Sequence, residues 1–205
     1  MRTRYFPVVS VLLLVLAVIA FSDNLFTDVG QPSNRDPKFI IHGLFCLAWF
    51  MTFVAQSLLV QRRQIATHRR LGLAGMAIGA GVALSTFYIF VVTYEGWDKL
   101  AVFARPNRFF MVSYAMLLML AYRQRTNAPT HKRLIFLATL YMLGPILDRA
   151  ASHFGVTPFV FTPLVWNALF ISLLAYDRVT LQAVHRVSSL GFVWFYVVWV
   201  IAIVT

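Results

Sequence analysis

Charge is the first thing this sequence lacks. Only 12% of its 205 residues are Asp, Glu, Lys or Arg, and 60% are hydrophobic. Soluble domains carry roughly 25% charged residues, so an ordinary water-soluble fold is excluded. Acidic residues are scarcer still, seven against 18 Lys and Arg, which leaves a net charge of +11. Cysteine occurs once, as Cys46. An internal disulfide and cysteine-rich zinc or iron–sulfur chemistry are therefore excluded, and within an apolar run Cys46 reads as a small buried hydrophobe. No lysine lies inside an apolar run, which removes a retinal-type Schiff base. Walker, HExxH, GxSxG and strand-borne GxGxxG motifs are all missing. Five histidines are too few for a membrane di-iron desaturase.

What remains is apolar sequence cut by short polar connectors. Seven runs stand out, at about residues 8–22, 39–60, 71–93, 109–122, 133–150, 159–176 and 187–204. About 20 apolar residues cross a hydrocarbon core as a helix. The sequence thus predicts an all-α polytopic membrane bundle of seven transmembrane helices, one domain over 1–205. The first run has the basic start of a secretory signal and ends in Val18-Ile19-Ala20, like a peptidase site. Five of the six remaining loops fit a seven-helix hairpin pattern, so its retention as a helix is expected.

The cations fall on one side. With connectors on alternate faces, one face holds Arg2, Arg4, Arg62, Arg63, Arg69, Arg70, Arg123, Arg125, Lys132, Arg133, Arg178 and Arg186, with Asp177 as its only acid. On the other face, Arg35, Lys38, Lys99, Arg105, Arg108 and Arg149 are balanced by Asp23, Asp28, Asp36, Glu95, Asp98 and Asp148. The positive-inside rule then puts the N-terminus in the cytoplasm and the C-terminus outside a bacterial inner membrane. The basic face meets anionic lipid headgroups, and nucleic acid is not an expected partner.

Polar groups inside a membrane are costly and mark candidate sites. The expected outer layer comprises His42, Glu95, Arg108, Asp148, Arg149 and His153. His42, Trp49 and Gln56 share one helical face, with Gln56 about 21 Å further along. A second stripe runs His131, Ala138, Met142, Arg149, His153, and Gly144-Pro145 is expected to bend that helix. Four readings stay open. These groups line a cavity for a lipid headgroup, quinone or small solute. His42 and His153 ligate a haem b, faced by Arg108 or Arg149. His42, Asp148, His153 and Glu95 hold a divalent metal. Or an Asp–Arg–His network only tethers helix ends. The inner histidines His68, His131 and His185 each precede a base and read as interfacial residues. Gly75 and Gly79 read as a helix-packing face. Gln56 and Asn167 read as amides bonded across helices, and Trp194, Tyr196 and Trp199 as anchors or core.

Taken together, His42…Trp49…Gln56, His68-Arg69-Arg70-Leu71-Gly72, His131-Lys132-Arg133-Leu134 and Asp177…His185 resemble a group of bacterial seven-helix inner-membrane proteins of unassigned activity. The His-Arg-x-Leu-Gly turn is also similar to ascorbate-type b cytochromes and ferric-reductase-like proteins, which implies haem. The N-inside seven-helix plan resembles adiponectin-receptor and alkaline-ceramidase proteins, which implies a metal-dependent hydrolase, although their paired HxxxH is absent. The expected function is an outward-facing pocket of His42, Gln56, Glu95, Arg108, Asp148, Arg149 and His153. It binds a small amphiphile or solute rather than catalysing hydrolysis.

Overall fold

Proline marks where nearly every helix begins. In the computed structural model, which describes residues 4–205, seven of the eight prolines lie within the first three positions of a helix. A ring that lacks an N–H costs nothing there, because the first-turn N–H groups have no intrahelical acceptor. Eight α-helices result: α1 (Tyr5–Ala20), α2 (Pro37–Gln61), α3 (Ile65–Val92), α4 (Pro106–Arg123), α5 (Ala128–Tyr141), α6 (Gly144–His153), α7 (Pro158–Leu181) and α8 (Arg186–Val204). Among the described residues there is no strand. Side chains complete three of the starts. Asp36 accepts from the Lys38 N–H at 3.1 Å, Asn127 from Thr130 at 3.4 Å and His185 from Val187 at 3.2 Å. Arg2, in the basic N-terminus, lies outside the described residues.

Each of the seven apolar runs is helical. Helices α2, α3, α7 and α8 are long and apolar enough to cross a membrane, and α5 with α6 makes a fifth, broken span. The surface agrees: Leu73, Leu84, Leu164 and Leu190 are all more than 60% exposed, a placement that lipid solvates and water does not. This is a multi-pass membrane protein. The fifth run departs from a single helix. α5 stops at Tyr141, and Pro145 cannot donate to the Tyr141 carbonyl four residues earlier. The break interrupts the expected stripe from His131 to His153, which required one continuous helix.

The chain forms two compact units, residues 4–89 with 146–157 and residues 90–145 with 158–205. In the first, α1 joins α2 through the Ser10 and Ser57 hydroxyls, 2.9 Å apart. Helix α3 approaches α2 closely along its glycines: a Cβ on Gly75 would stand 2.9 Å from the Thr52 methyl, and one on Gly81 would collide with Phe45. The second unit is built on rings. Phe195 stacks on Phe110 with centroids 5.0 Å apart and meets the edge of Trp166 at 4.7 Å. Trp166 Nε1 donates to the Leu140 carbonyl at 2.7 Å, at the α5 end. Tyr141 donates its hydroxyl proton to the Gly191 carbonyl at 2.5 Å. That contact requires glycine, since a Cβ at 191 would lie 2.5 Å from Leu137 Cδ1.

Gly191→Leu should therefore overpack the α5–α8 contact and cost about 1–3 kcal/mol. Gly72→Ala, with open space around its Cβ, should be neutral or gain up to about 1 kcal/mol. Thermal unfolding of the detergent-solubilised protein reads both, and equal melting temperatures would contradict the packing described.

Candidate functional site

The polar cluster of the first unit starts where α1 runs out. The Phe21 N–H closes on Ala17 at 3.1 Å, and one wide turn, Asp23–Thr27, follows and ends at Asp28 in the left-handed region (φ 35°). The loop is braced by its own amides. Asn24 Nδ2 donates to Asn34 Oδ1 at 2.7 Å and to Ser33 Oγ at 3.2 Å, and Asn34 Nδ2 donates to Asp28 Oδ1 at 2.9 Å. This leaves Asn24 Oδ1 to accept from Arg149 Nη1 at 2.8 Å. The Arg149 guanidinium also lies 4.5 Å from the Phe21 ring, a cation–π distance.

Helix α6 supplies the other wall. It buries Ile146, Leu147, Ala150 and Ala151, and Arg149, Ser152 and His153 are exposed. That i, i+3, i+4 pattern is an amphipathic helix. His153 Nε2 stands 3.7 Å from Asp23 Oδ2. Ala20, Asp23, Arg149, Ser152 and His153 line an open cleft of about 270 Å³. Both charge signs, a hydroxyl and an imidazole face one small volume, which suits a polar headgroup more than a hydrocarbon chain.

Of the residues expected from sequence, Arg149 and His153 share this cleft. Asp148 does not line it, and its carbonyl accepts from Ser152 Oγ at 3.3 Å. His42 meets Ser85 Oγ at 3.0 Å and Cys46. Gln56 faces α3: with its amide turned to match its neighbours, the nitrogen donates to His68 Nδ1 and, at 3.2 Å, to the His68 carbonyl, and the oxygen accepts from the Gly72 N–H at 3.2 Å. Glu95 and Arg108 belong to the second unit. There Glu95 lies 3.8 Å from Lys99, and Arg108 sits 3.8 Å from the Phe90 ring. The two histidines of the haem reading thus have different partners, Ser85 and Asp23. Among the described residues no three His, Cys, Asp or Glu side chains gather as a metal site. Asp23 and Asn24 were missed as site residues. The signal was present, because Ser22-Asp23-Asn24 ends an apolar run abruptly.

A second polar cluster lies in the other unit. Arg133 and Asp177 are fully buried and paired. Arg133 Nε donates to Asp177 Oδ1 at 2.9 Å, joined by Nη2, while Nη1 donates to the Pro129 carbonyl at 2.7 Å. Asp177 Oδ2 accepts from the His185 N–H at 3.2 Å. Both carboxylate oxygens have donors, as a buried ion pair requires. Beside it Lys132 Nζ donates to Tyr176 Oη at 2.7 Å, and His131 Nδ1 donates to the Ala121 carbonyl at 2.8 Å. This cluster is closed, and it ties α5 to α4, α7 and the start of α8.

Comparison with protein-family models, with curated proteins and with solved structures finds no match for this chain.

His185 caps α8 through Nδ1, so it works only when unprotonated. Burial, with Arg133 and Lys132 opposing Asp177, holds its pKa below the ordinary 6.5. A group lowered on folding contributes stability that is full above the unfolded pKa. That contribution is lost as pH falls, because the unfolded chain takes the proton first. Melting temperature should hold above about pH 7 and drop below about pH 6.5. His185→Asn, which keeps a cap acceptor without titrating, should flatten that slope in the same melting series.

Proposed function

We propose that the chain is a bacterial inner-membrane protein with seven crossing helices, cytoplasmic N-terminus and external C-terminus. Its outer cleft binds the polar head of a small amphiphile or solute. The observation that carries this reading is the convergence of Arg149, Asp23, Ser152 and His153 on one open volume. Arg149 offers planar donors to a carboxylate or phosphate, while Asp23 and His153 suit an ammonium or hydroxyl on the same molecule. The surrounding apolar surface accommodates a tail. The orientation rests on the charge count: cations cluster at the α2–α3, α4–α5 and α7–α8 connections, and both signs balance at the others. Helix α1 measures about 24 Å at 1.5 Å per residue, short of a core of about 30 Å. The wide turn after Ala20 extends it towards the headgroups.

Protein purified in mild detergent and examined by native mass spectrometry should carry a co-purifying small amphiphile. Arg149→Ala should lower its occupancy by about 10- to 100-fold, the weight of one charge-assisted hydrogen bond. Equal occupancy in the variant removes the cleft as the site. A reporter active only outside the cytoplasm should be active when fused after Thr205. An inactive fusion there overturns the seven-span orientation.

A further inference from the structure

The hydrogen-bonding capacity inside the cleft is only partly used, and what is left over differs from one end to the other. Arg149 commits Nη1 to the Asn24 amide oxygen at 2.8 Å, and its guanidinium lies 4.5 Å from the Phe21 ring. A guanidinium carries five N–H donors, so most of the fork is left for an incoming anion. Ser152 directs its hydroxyl proton to the Asp148 carbonyl at 3.3 Å, which leaves its oxygen as an acceptor. The Asp23 side chain is 46% exposed, and His153 Nε2 stands 3.7 Å from its carboxylate, beyond hydrogen-bond distance. An ionised carboxylate only accepts. One end of the cleft therefore offers donors and positive charge, and the other offers acceptors and negative charge.

The spacing of the two ends is set by α6. Arg149 and His153 are four residues apart, which puts their Cβ atoms about 5–6 Å apart on one helical face. Asp23 stands beside His153. A ligand that meets both ends carries an anion and a donor-bearing cation joined by a short chain.

We propose that the ligand is a phosphoethanolamine group, a phosphate joined through two carbons to a primary ammonium. This rests on the reading of the cleft as a site for a polar head. The phosphate takes the free N–H groups of Arg149, which match its oxygens in pairs. The ammonium sits against Asp23, His153 and Ser152. At about 2.8 Å per charge-assisted bond, one nitrogen reaches acceptors that stand 3.7 Å apart. Three N–H donors meet the acceptors there, whereas a quaternary ammonium has none to give and a glycerol headgroup brings no positive charge to Asp23. An α-amino acid carries its two charges across a single carbon, shorter than the turn between Arg149 and His153. The open volume of about 270 Å³ equals about nine waters at about 30 Å³ each, room for the group with part of its solvation. Leu25 and Phe26, in the same wide turn as Asp23, are 45% and 73% exposed. Apolar side chains at the end of a membrane helix lie against acyl chains near headgroup depth, where an aminophospholipid presents this group.

The test is native mass spectrometry of the full chain in mild detergent, titrated with phosphatidylethanolamine, phosphatidylcholine and phosphatidylglycerol of matched acyl chains. Phosphatidylethanolamine should bind at least about tenfold more tightly than either of the others, the weight of charge-assisted hydrogen bonds. Asp23→Asn, which keeps the side-chain shape, should bring it down to the level of phosphatidylcholine. Arg149→Ala should weaken all three lipids, and thermal unfolding checks that both variants fold. Free phosphoethanolamine added at the lipid concentration separates the sources: displacement assigns a soluble ligand, and persistence assigns the lipid. Equal binding of phosphatidylethanolamine and phosphatidylcholine, lost in Arg149→Ala, overturns the headgroup assignment and leaves the amphiphile reading standing. A preference that survives Asp23→Asn overturns the placement of the ammonium. Lipid binding that Arg149→Ala leaves unchanged overturns both readings together.

Discussion

Inside a bilayer a polar group has no water to return to, and the arrangement of this chain follows from that constraint. Its membrane-embedded hydroxyls bond back to their own helices: Ser10 to Pro7, Thr86 to Val82, Thr139 to Ile135 and Ser172 to Leu169. Longer polar side chains reach across helices. Trp194 donates to Ser113 Oγ at 2.9 Å, and Tyr196 donates to Asn167 Oδ1 at 2.5 Å. Arg133 and Asp177 are the extreme case, two ions with zero exposure that persist only because each satisfies the other and the backbone completes the set. Removing one partner of such a pair costs several kcal/mol. The pair therefore fixes the relative position of α5, α7 and the start of α8.

The two polar clusters differ in kind. Around Asp177 both carboxylate oxygens have donors within the chain, and the two paired ions are sealed from solvent. Around Arg149 the guanidinium is held by one amide oxygen and one ring, with the rest of its fork facing an open volume. A closed pair holds the second unit together. The open cluster instead leaves groups of both charge signs facing one volume.

The helices were legible in the sequence because run length and proline placement are local properties. The sites were less legible because their contacts are not. The stripe His42, Trp49, Gln56 does lie on one face of α2, but the helical rise carries Gln56 to the level of the α2–α3 turn. There it bonds to His68 and Gly72. The His-Arg-Arg-Leu-Gly stretch, which resembles haem-protein turns, thus holds two groups four residues apart that clamp one glutamine. Arg133 and Asp177 are 44 residues apart, and no local pattern pairs them. A trace was visible all the same, since Asp177 is the only acid on the basic face. An isolated carboxylate among arginines has few other fates than an ion pair.

The break in the fifth apolar run explains why the cleft contains what it does. A straight helix continuing through Tyr141 would have carried Arg149 and His153 onward along the axis of one apolar span. With the helix ended and restarted at Gly144, α6 needs no span of its own. Ten residues make about 15 Å, half of a hydrocarbon core. Such a segment is free to be amphipathic, and α6 is so in its strict alternation of Ile146-Leu147 and Ala150-Ala151 with Asp148-Arg149 and Ser152-His153. Helical period then places Arg149 and His153, four residues apart, on the same side. Proline at 145 is thus the residue on which the composition of the cleft depends, although it is not among the residues that line it.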